Sequence, residues 1–485
     1  MKICFVYPDI DGAEHYGARK YYHGLGYISA VLRQAGHETS LVYLQSEPTA
    51  ESFVAEVQAR APDLLAFSST THQHRFVDRC AGWAKAAHPE WLIVSGGVHP
   101  TLVPEEVLAN PAIDVVCVGE GEEALLDLVS ALESGKSIAH IPNLWARDRE
   151  SGEVSYNALR PLLTNLDLLP FADRELFDYA EILERNGGVA DLVAGRGCPY
   201  NCSYCCNHAL RARYRGLGKY VRFRSVSNVL AEIRALKSRY AISVLNFQDD
   251  AFTLDRSWAL EFCRAYGAEF ALPFWINSRV EQLDEELIRA LAQAGCQLVR
   301  IGVESGNEEL RHGVLKRHMS NDDFRRVFGL LHQHGIQSYS CNMIGLPGET
   351  PEMVQETIDL NRDLDPDKFQ FSVFYPYPMT ELHDISVREG YLREDQDLTG
   401  YYGRESVLEL PTLSAEELGQ GYDRFEELKY ELALKRASPW RYRLYRLWFR
   451  LYGGDVTRMR RDRGRLRGWL GALRRGRAGR AGASQ

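Results

Sequence analysis

Short apolar runs alternate with amphipathic segments along the first 140 residues. The runs are continuous, as in strands buried on both faces, whereas the segments between them carry apolar residues at helical spacing. The pattern predicts strands at 3–7, 38–44, 64–68, 91–95 and 115–118, and helices at 22–36, 52–61, 76–88, 104–109 and 121–134. This alternation predicts an α/β fold with an N-terminal doubly wound parallel sheet over 1–140.

The alternation stops and then resumes. Pro142, Pro161 and Pro170 interrupt residues 141–185, which are interpreted as a linker. Strands are predicted at 189–194, 244–247, 274–277, 298–303, 337–343 and 369–374, with helices between them. Six strand–helix units predict a partial (β/α)6 TIM-like barrel over 186–380, whose chemistry lies at the carboxyl ends of its strands.

The last hundred residues are predicted to be helical. Residues 381–436 are expected to form a helical C-terminal region, in which a helix at 418–436 packs on the barrel or closes the site. Residues 437–485 read as a basic amphipathic helix followed by an Arg-rich tail at 458–480. One face of that helix carries apolar residues (Trp440, Leu444, Leu447, Trp448, Leu451) and another carries arginines (Arg443, Arg446, Arg450).

Charge is distributed unevenly along the 485 residues. The chain has a net charge of −9, but residues 435–485 hold 16 Lys and Arg against two acidic residues, a net +14 that leaves −23 for the rest. The basic tail favours an anionic membrane surface contacted through 439–480. A packed helix with a solubilising tail stays open as the alternative. The acidic body argues against nucleic acid as a partner.

Composition excludes several classes of protein. Apolar residues make up 45% and charged residues 25%, as in ordinary globular chains. The start of the chain is too short for a signal peptide, and no apolar run is long enough to span a bilayer. Most of the ten cysteines stand singly in apolar surroundings, which is typical of reduced core thiols. We therefore expect a cytoplasmic protein, with peripheral binding at the inner face of the membrane as an option.

Three cysteines form a candidate metal centre. Cys198, Cys202 and Cys205 follow the spacing C-x-x-x-C-x-x-C in a loop bent by Pro and Gly, so three thiolates can face one iron–sulfur cluster. Structural zinc usually needs four ligands in paired groups, and no second pair follows. Disulfides are disfavoured because cysteines this close cannot all pair well. Cys206 lies outside the spacing and is interpreted as a bystander.

The spacing, together with the order of strand-end motifs behind it, resembles the radical S-adenosylmethionine (radical SAM) family. The resemblance implies a [4Fe–4S] cluster whose open iron binds S-adenosylmethionine and cleaves it to a 5'-deoxyadenosyl radical. It places Tyr204 on the adenine and a carboxylate on the methionine amino group. Arg279 would hold the methionine carboxylate, and Glu304 the ribose. The implied S-adenosylmethionine contacts are Tyr204, Asp249, Asp250, Asn277, Arg279, Glu304 and Ser305. No catalytic residue beyond the cluster ligands is predicted.

Small polar residues follow the strands of the first sheet. They resemble the cobalamin-binding domain (Rossmann- or flavodoxin-like) of the cobalamin-dependent radical SAM proteins. The resemblance implies cobalamin contacts at Ser68, Ser69, Thr70, Gly96, Gly97, His99, Thr101, Gly119, Glu120 and Gly121. The D-x-H-x-x-G motif that supplies a lower cobalt ligand is missing from residues 9–17. A domain that binds no cobalamin and serves as a scaffold therefore stays open.

The resemblance is to class B methyltransferases and to oxidative cyclases. It implies C-methylation of an unactivated carbon in a lipid or natural product. One S-adenosylmethionine would supply the methyl group through cobalamin, and a second would supply the radical. Radical cyclisation, ring contraction or coupling without methylation is one alternative, and a non-catalytic cluster-binding regulatory protein is another. Expected partners are the substrate and a one-electron reductant of the flavodoxin or ferredoxin type. Relatives often have Pro-Gly-Thr where this chain has Pro378-Met379-Thr380.

Overall fold

The computed structural model describes residues 1–11, 20–392 and 403–451, with the side chains of 448–451 excepted. It contains two large sheets in succession and a helical C-terminal region. The predicted α/β fold class is confirmed.

The first sheet has seven strands in the order β2-β1-β3-β4-β5-β6-β7. Its first five strands pair in parallel. Four of them are buried apolar runs, as expected for parallel strands that helices cover on both faces, whereas the edge strand β2 is only half-buried. The strands are β1 (Lys2–Pro8), β2 (Glu38–Leu44), β3 (Leu64–Ser68), β4 (Leu92–Gly96), β5 (Val115–Cys117), β6 (Leu144–Arg147) and β7 (Val154–Tyr156). The helices are α1 (His23–Gln34), α2 (Ala50–Gln58), α3 (His74–Ala87), α4 (Val98–Leu102), α5 (Pro104–Ala109), α6 (Glu122–Glu133) and, in the connecting segment, α7 (Tyr179–Arg185).

Two strands of this sheet lie in the segment interpreted as a linker. β6 pairs antiparallel with β5, and β7 pairs antiparallel with β6. They are four and three residues long and only half-buried, so no periodic signal marks them. The rings of Trp145 and Tyr156 meet edge to face across the pair, with centroids 5.0 Å apart. The first part of the linker interpretation therefore needs correction, since these residues complete the first sheet.

The second sheet has six parallel strands in the order β15-β14-β13-β12-β11-β8, the open half-barrel predicted from the sequence. β9 and β10 form a separate two-stranded antiparallel ribbon beside it. The strands are β8 (Val189–Leu192), β9 (Gly195–Arg196), β10 (Arg222–Phe223), β11 (Val244–Phe247), β12 (Phe274–Ser278), β13 (Cys296–Glu304), β14 (Gln337–Ile344) and β15 (Lys368–Val373). The helices are α8 (Asn207–Arg213), α9 (Val226–Arg239), α10 (Arg256–Glu269), α11 (Glu285–Gln293), α12 (Asn321–Gln333) and α13 (Pro351–Leu364).

The two domains are joined by a continuous apolar core and by a buried ion network. The core runs from Phe5 and Leu25 in the first domain to Leu192 and Phe247 in the second. Arg174, in the connecting segment, pairs with Glu232 of α9 at 3.1 Å and lies over the ring of Tyr21 at 4.0 Å. All charges of this network are paired, which buried ions require.

Three helices follow the barrel: α14 (Glu381–Arg388), α15 (Ala415–Ala437) and α16 (Pro439–Leu451). α15 packs on the barrel as predicted, since Phe425 stacks on Phe369 and Phe371 at 5.7 and 4.8 Å. Arg446 of α16 pairs with Glu431 of α15 at 2.9 Å. None of the described helices has the length and apolar character needed to cross a membrane. The Arg-rich run at 458–480 lies outside the described residues.

Candidate functional site

The three cysteines lie in the loop between strand β9 of the antiparallel ribbon and helix α8. Cys202 is buried, and Cys198 and Cys205 are partly exposed. The loop turns tightly, with the Cys205 N–H donating to the Cys202 carbonyl at 3.1 Å. Gly197 has φ +87°, and a Cβ atom there would lie 2.6 Å from the backbone oxygen of Tyr220. Only glycine allows this approach, so the residue before Cys198 fixes the path of the loop.

The surroundings of two of the three thiols, Cys202 and Cys205, favour metal-binding thiolates. Hydrogen bonding with Cys206, and then with Asn207, lowers the pKa of Cys205 to about 7. Cys202 receives Arg279 Nη1 at 3.2 Å and Arg317 Nη1 at 3.7 Å. Burial raises the pKa of Cys198 to about 11.

The donor set fits an iron–sulfur cluster. Cys198, Cys202 and Cys205 are free thiols on one short loop, and each cysteine of a cluster binds a different iron. The three cysteines therefore suit a [4Fe–4S] cluster with one iron left open.

The two adjacent carboxylates after β11 have different tasks. Asp249 is buried, and its oxygens accept the backbone N–H groups of Ala194 at 3.1 Å and Gly195 at 2.6 Å. Burial raises its pKa to about 7. It thereby holds the chain that enters the cysteine loop. Asp250 is exposed, and its side chain hydrogen-bonds with Asn207 beside the cysteine loop, so it is the carboxylate of the two that a ligand amino group can reach.

The next strand end supplies an amide and a guanidinium. Asn277 donates from Nδ2 to the Asp249 backbone oxygen at 2.9 Å, and so braces the same turn. Arg279 lies over the ring of Tyr200 at 3.7 Å and donates from Nε to Glu281 at 2.6 Å. Its Nη2 atom pairs with the same carboxylate at 2.6 Å. Its Nη1 atom reaches Cys202, where it can meet the carboxylate of a ligand bound to the cluster.

At the end of β13, Glu304 forms a connected group with Tyr204 and Arg317. The Tyr204 hydroxyl donates to Glu304 Oε1 at 3.0 Å, and Arg317 Nη1 donates to the Tyr204 oxygen at 3.3 Å. Burial raises the pKa of Glu304, while Arg317 lowers it. Ser305 is buried, and its hydroxyl accepts the Asn307 N–H at 3.2 Å, which shapes the following turn. Tyr204 and Glu304, 100 residues apart in sequence, therefore meet in the structure.

A cavity of about 290 Å³ lies between the first sheet and the cysteine loop. Seven of the ten residues predicted to contact cobalamin line it: Ser68, Gly96, Gly97, Thr101, Gly119, Glu120 and Gly121. The lining continues on the barrel side through Arg196 and Gly197. The cavity therefore touches both the strand ends of the first sheet and the loop that carries Cys198.

The remaining three residues of that prediction do not line the cavity. Ser69 accepts the His99 N–H through its backbone oxygen at 3.3 Å, and Thr70 caps a turn through Gln73. The His99 ring is buried against His74, with centroids 4.3 Å apart. Ser69, Thr70 and His99 form the floor beneath the loops that line the cavity.

At two glycines among the predicted cobalamin contacts, a side chain would collide with another part of the protein. A Cβ atom at Gly97 (φ +105°) would lie 2.7 Å from the Ser69 backbone oxygen. At Gly119 (φ +92°) it would lie 1.9 Å from the hydroxyl of Tyr214. Tyr214 accepts the Glu120 N–H at 2.8 Å, so the first sheet and the barrel touch here.

Glu120 is held in an ion-pair network that we call the Glu120 clamp (Glu120, Glu122, Arg196, Arg222). Arg222 donates two hydrogen bonds to Glu120, at 2.6 and 3.1 Å. Arg196 pairs with Glu120 at 3.1 Å and with Glu122 at 2.5 Å. Arg196 and Arg222 are paired residues of the antiparallel ribbon β9–β10. The clamp therefore ties the loop after β5 to the residue two places before Cys198.

Sequence reasoning missed one polar residue of the cavity. His23, the first residue of α1, lines it, and its buried Nε2 atom has no hydrogen-bond partner among the described residues. Burial, and then Arg174, Arg196 and Arg224, hold its pKa well below the ordinary value, so the imidazole is neutral at pH 7. A buried polar atom without a partner is one that a bound ligand would satisfy. The sequence signal that could have identified it is its place at the start of the helix that follows the first strand.

The cavity therefore fits a large cofactor in its chemistry. Its lining combines apolar side chains such as Phe5, Ala66 and Val94 with small residues and the His23 imidazole. The residues that would hold cobalamin are the seven that line the cavity together with His23. In the barrel, sequence reasoning missed Arg317, because no sequence pattern around this residue indicates its contact with Cys202.

Comparison with known proteins agrees with this arrangement. Residues 17–129 match the B12 binding domain, and residues 192–360 match the radical SAM superfamily. An uncharacterized methyltransferase of Pyrococcus horikoshii is 29% identical over 402 residues, 81% of this chain and 84% of that protein. An anaerobic magnesium-protoporphyrin IX monomethyl ester cyclase of Rubrivivax gelatinosus is 26% identical over 394 residues, 79% of this chain and 69% of that protein.

A solved structure shares the fold over most of the chain. The radical S-adenosylmethionine methyltransferase TsrM of Kitasatospora setae, with tryptophan and a S-adenosylmethionine analogue bound, matches with a TM-score of 0.68 at 19% identity. The match covers 88% of this chain and 89% of that one. The two domain matches, in this order, identify a radical SAM enzyme whose cofactors are a [4Fe–4S] cluster, S-adenosylmethionine and cobalamin. The chain belongs to the radical SAM enzymes that carry a cobalamin-binding domain ahead of the radical barrel.

Proposed function

We propose that the protein methylates an unactivated carbon of a lipid or natural product. The observation that carries the proposal is the shared cavity, in which Gly97 and Gly119 of the first sheet and Arg196 and Gly197 of the cysteine loop line one space. A methyl donor and a radical source held on its two sides would act on one substrate. The similarity to the Pyrococcus methyltransferase supports the same reaction.

The cofactors supply the reactive groups: a deoxyadenosyl radical from S-adenosylmethionine at the cluster, and a methyl group from cobalamin. The residues of the chain bind and orient them. Cys198, Cys202 and Cys205 hold the cluster, while Asp250 and Arg279 hold the two ends of the methionine. Glu304 holds the ribose, and Tyr204 packs beside it. Apolar lining residues such as Val193 and Leu210 keep water away from the radical.

The test uses reconstituted protein with dithionite and S-adenosylmethionine labelled in its methyl group. We expect 5'-deoxyadenosine, S-adenosylhomocysteine and labelled product from an isoprenoid lipid extract. If no deoxyadenosine forms, the protein does not cleave S-adenosylmethionine under these conditions. That result would contradict the proposal and support a non-catalytic, cluster-binding regulatory protein. Cobalamin retained on purification would support the same assignment.

Radical cyclisation without methylation is the second candidate. The similarity to the Rubrivivax cyclase favours it. Deoxyadenosine formed without S-adenosylhomocysteine, and without label in any product, would support the cyclase and contradict methyl transfer.

We also propose that the apolar face of α16 binds an anionic membrane. Trp440, Leu444 and Leu447 are 62%, 56% and 56% exposed. The opposite side is anchored on α15, because Tyr445 is buried there and Arg446 pairs with Glu431. A helix that points Trp and Leu to solvent and leads into a basic tail suits a lipid surface. This position would bring a lipid substrate to the enzyme.

Flotation with liposomes tests the membrane proposal. Intact protein should float with vesicles that contain phosphatidylglycerol, and much less with phosphatidylcholine alone. Replacing Trp440, Leu444 and Leu447 by Ser should reduce flotation several-fold. A matched triple variant at exposed apolar residues elsewhere (Tyr156→Ser, Leu168→Ser, Val387→Ser) should float like the unaltered protein. Equal flotation of the two triple variants would contradict the proposal.

A further inference from the structure

A basic stretch surrounds the cysteine loop in an otherwise acidic protein. Residues 192–231 contain no Asp or Glu but carry seven Lys and Arg. Residues 1–434 as a whole have a net charge of −23. Some of these cations are used inside the protein, as Arg196, Arg222 and Arg224 are. The others reach the surface beside the loop.

Two of the surface cations are unengaged. Arg215, just after α8, and Lys219, just before β10, are exposed and have no ionic partner in the part of the chain that the structure describes. Arg211 lies next to them and donates to the Pro199 backbone oxygen and to Asn201 Oδ1. We call Arg211, Arg215 and Lys219 the basic rim. Long cations without internal partners produce a positive surface potential that a negative partner can use.

Arg211 and Lys219 of the basic rim line a cleft on the outer side of the cysteine loop. The cleft has a volume of about 560 Å³, and its lining includes Pro199, Arg211, Lys219, Tyr220 and Phe223. Pro199 is exposed and adjacent in sequence to Cys198. Tyr220 also lines the inner cavity, so its ring is part of the wall between the two. The outer cleft is therefore an approach to the cysteines that does not pass through the substrate cavity.

Two other charges in the cleft are already used. Asp255 caps α10, since its carboxylate accepts the Trp258 N–H at 3.0 Å. Arg256 pairs with Asp284 at 3.1 Å and with Glu286. The lining of the cleft nevertheless carries three cations, Arg211, Lys219 and Arg256, against the single carboxylate of Asp255.

We propose that the basic rim and the outer cleft are the docking surface for an acidic one-electron carrier protein. The inference rests on the proposed function, which needs one electron delivered to the cluster for each cleavage of S-adenosylmethionine. The carrier loses one electron and the cluster gains it, with no bond made or broken between the two proteins. Electron transfer falls steeply with distance, and this face offers the exposed residue next to a cluster ligand.

The test measures binding and electron delivery separately. The probe is an acidic flavodoxin carrying a fluorescent label, titrated against the reconstituted enzyme at low salt. The double variant Arg215→Glu/Lys219→Glu should raise the Kd about tenfold or more, and the Kd of the unaltered enzyme should rise with salt. Arg211 is left intact because it holds the cysteine loop.

The control reverses two exposed cations elsewhere, in Lys136→Glu/Arg289→Glu, and changes the net charge by the same amount. It should shift the Kd less than threefold. Deoxyadenosine formation with dithionite should be the same in both double variants, because a small reductant needs no docking surface, while the flavodoxin-supported rate should fall only in the rim variant. Equal Kd values in the two double variants would overturn the proposal. Absence of deoxyadenosine with dithionite in the unaltered enzyme would count against the proposed function alone, since binding is measured without turnover.

Discussion

The two parallel sheets end in edges of different chemistry. At the first edge the strand ends present small uncharged residues to the cavity, such as Ser68, Gly97 and Thr101. At the barrel edge the groups are charged or metal-binding: Arg279 and Arg317 donate to Cys202, and Tyr204 links Arg317 to Glu304. A large neutral ring needs shape and backbone groups, whereas a cluster and a zwitterionic amino acid need fixed charges.

Backbone strain also separates the two edges. The first edge reaches positive φ at Gly97 and Gly119 and at Asn143 (φ +71°), which are residue types that adopt this region at little cost. The barrel edge does so at Glu304 (φ +67°) and Met379 (φ +63°), where a Cβ makes the conformation costly. Strain of this kind persists where the surroundings hold the residue in place, as at functional sites. The barrel edge is therefore the more constrained of the two.

The variant with the largest expected effect should abolish function at the barrel edge and leave the first edge unchanged. Cys202→Ala removes a cluster ligand, so we expect loss of the cluster and no S-adenosylmethionine cleavage, measured as iron content and deoxyadenosine. Cobalamin retention should be unchanged, because no residue of the first edge is altered. Cys206→Ser is the control and should keep both iron and cleavage. Iron content that stays at the unaltered level in Cys202→Ala would contradict the ligand assignment.

The Glu120 clamp tests whether the edges depend on each other. Glu120→Gln leaves Arg196 and Arg222 with one carboxylate fewer, and Arg222 is almost fully buried. Because Glu120 is 25% exposed, we expect a loss of about 2–3 kcal/mol in the free energy of unfolding, below the range for a fully buried pair. Urea denaturation measures it.

The matched control for the clamp is Glu123→Gln, whose ion pair with Arg160 is more exposed. We expect it to cost less than about 1 kcal/mol. Equal losses for the two variants would mean that the clamp adds nothing to an ordinary surface ion pair, and the edges would then be independent.

Much of this comparison was predictable from the sequence. All eleven parallel strands were located, because buried parallel strands are continuous apolar runs. β6 and β7 were missed because they are short and half-buried. The cysteine loop was identified by spacing alone, which depends only on neighbours in sequence.

What the sequence could not decide is where side chains point. Asp249 and Asp250 are adjacent, so one faces the interior and the other the cleft, and nothing in their order says which. The same holds for His23 and Arg317, each contributed by a loop or helix end whose direction depends on tertiary packing. Ser69, Thr70 and His99 were placed at the right edge, but they lie below the residues that line the cavity.

Acid should act on the two edges in opposite directions. Burial lowers the pKa values of His72 and His74 to about 4 and that of His99 to about 3, so the unfolded chain binds protons first as pH falls below about 6.5. The first edge therefore loses stability on acidification. At the barrel edge, burial raises the pKa values of Asp249 to about 7 and Glu349 to about 8. These carboxyls contribute stability when protonated, and that stability is lost as pH rises through their folded pKa values.

His99→Gln isolates the histidine effect. The variant has no imidazole to protonate at this position, so its loss of stability between pH 7 and pH 5 should be smaller than that of the unaltered protein by about 2 kcal/mol. Urea denaturation at the two pH values measures the difference. Gln at the exposed His140 is the control and should leave the pH dependence unchanged. The opposite result, an unchanged slope in His99→Gln, would show that His99 titrates alike in both states.

Met379 offers the smallest and most local test of strain at the barrel edge. It is 50% exposed and has φ +63°, so its side chain contributes little packing while its Cβ makes the backbone costly. Met379→Gly should raise the free energy of unfolding by up to about 1 kcal/mol, since relief of strain exceeds the extra entropy of the unfolded glycine. Met379→Ala keeps the Cβ and should not stabilise. A gain in both variants would trace the effect to the exposed methionine side chain, and would remove Met379 from the strained positions that distinguish the barrel edge.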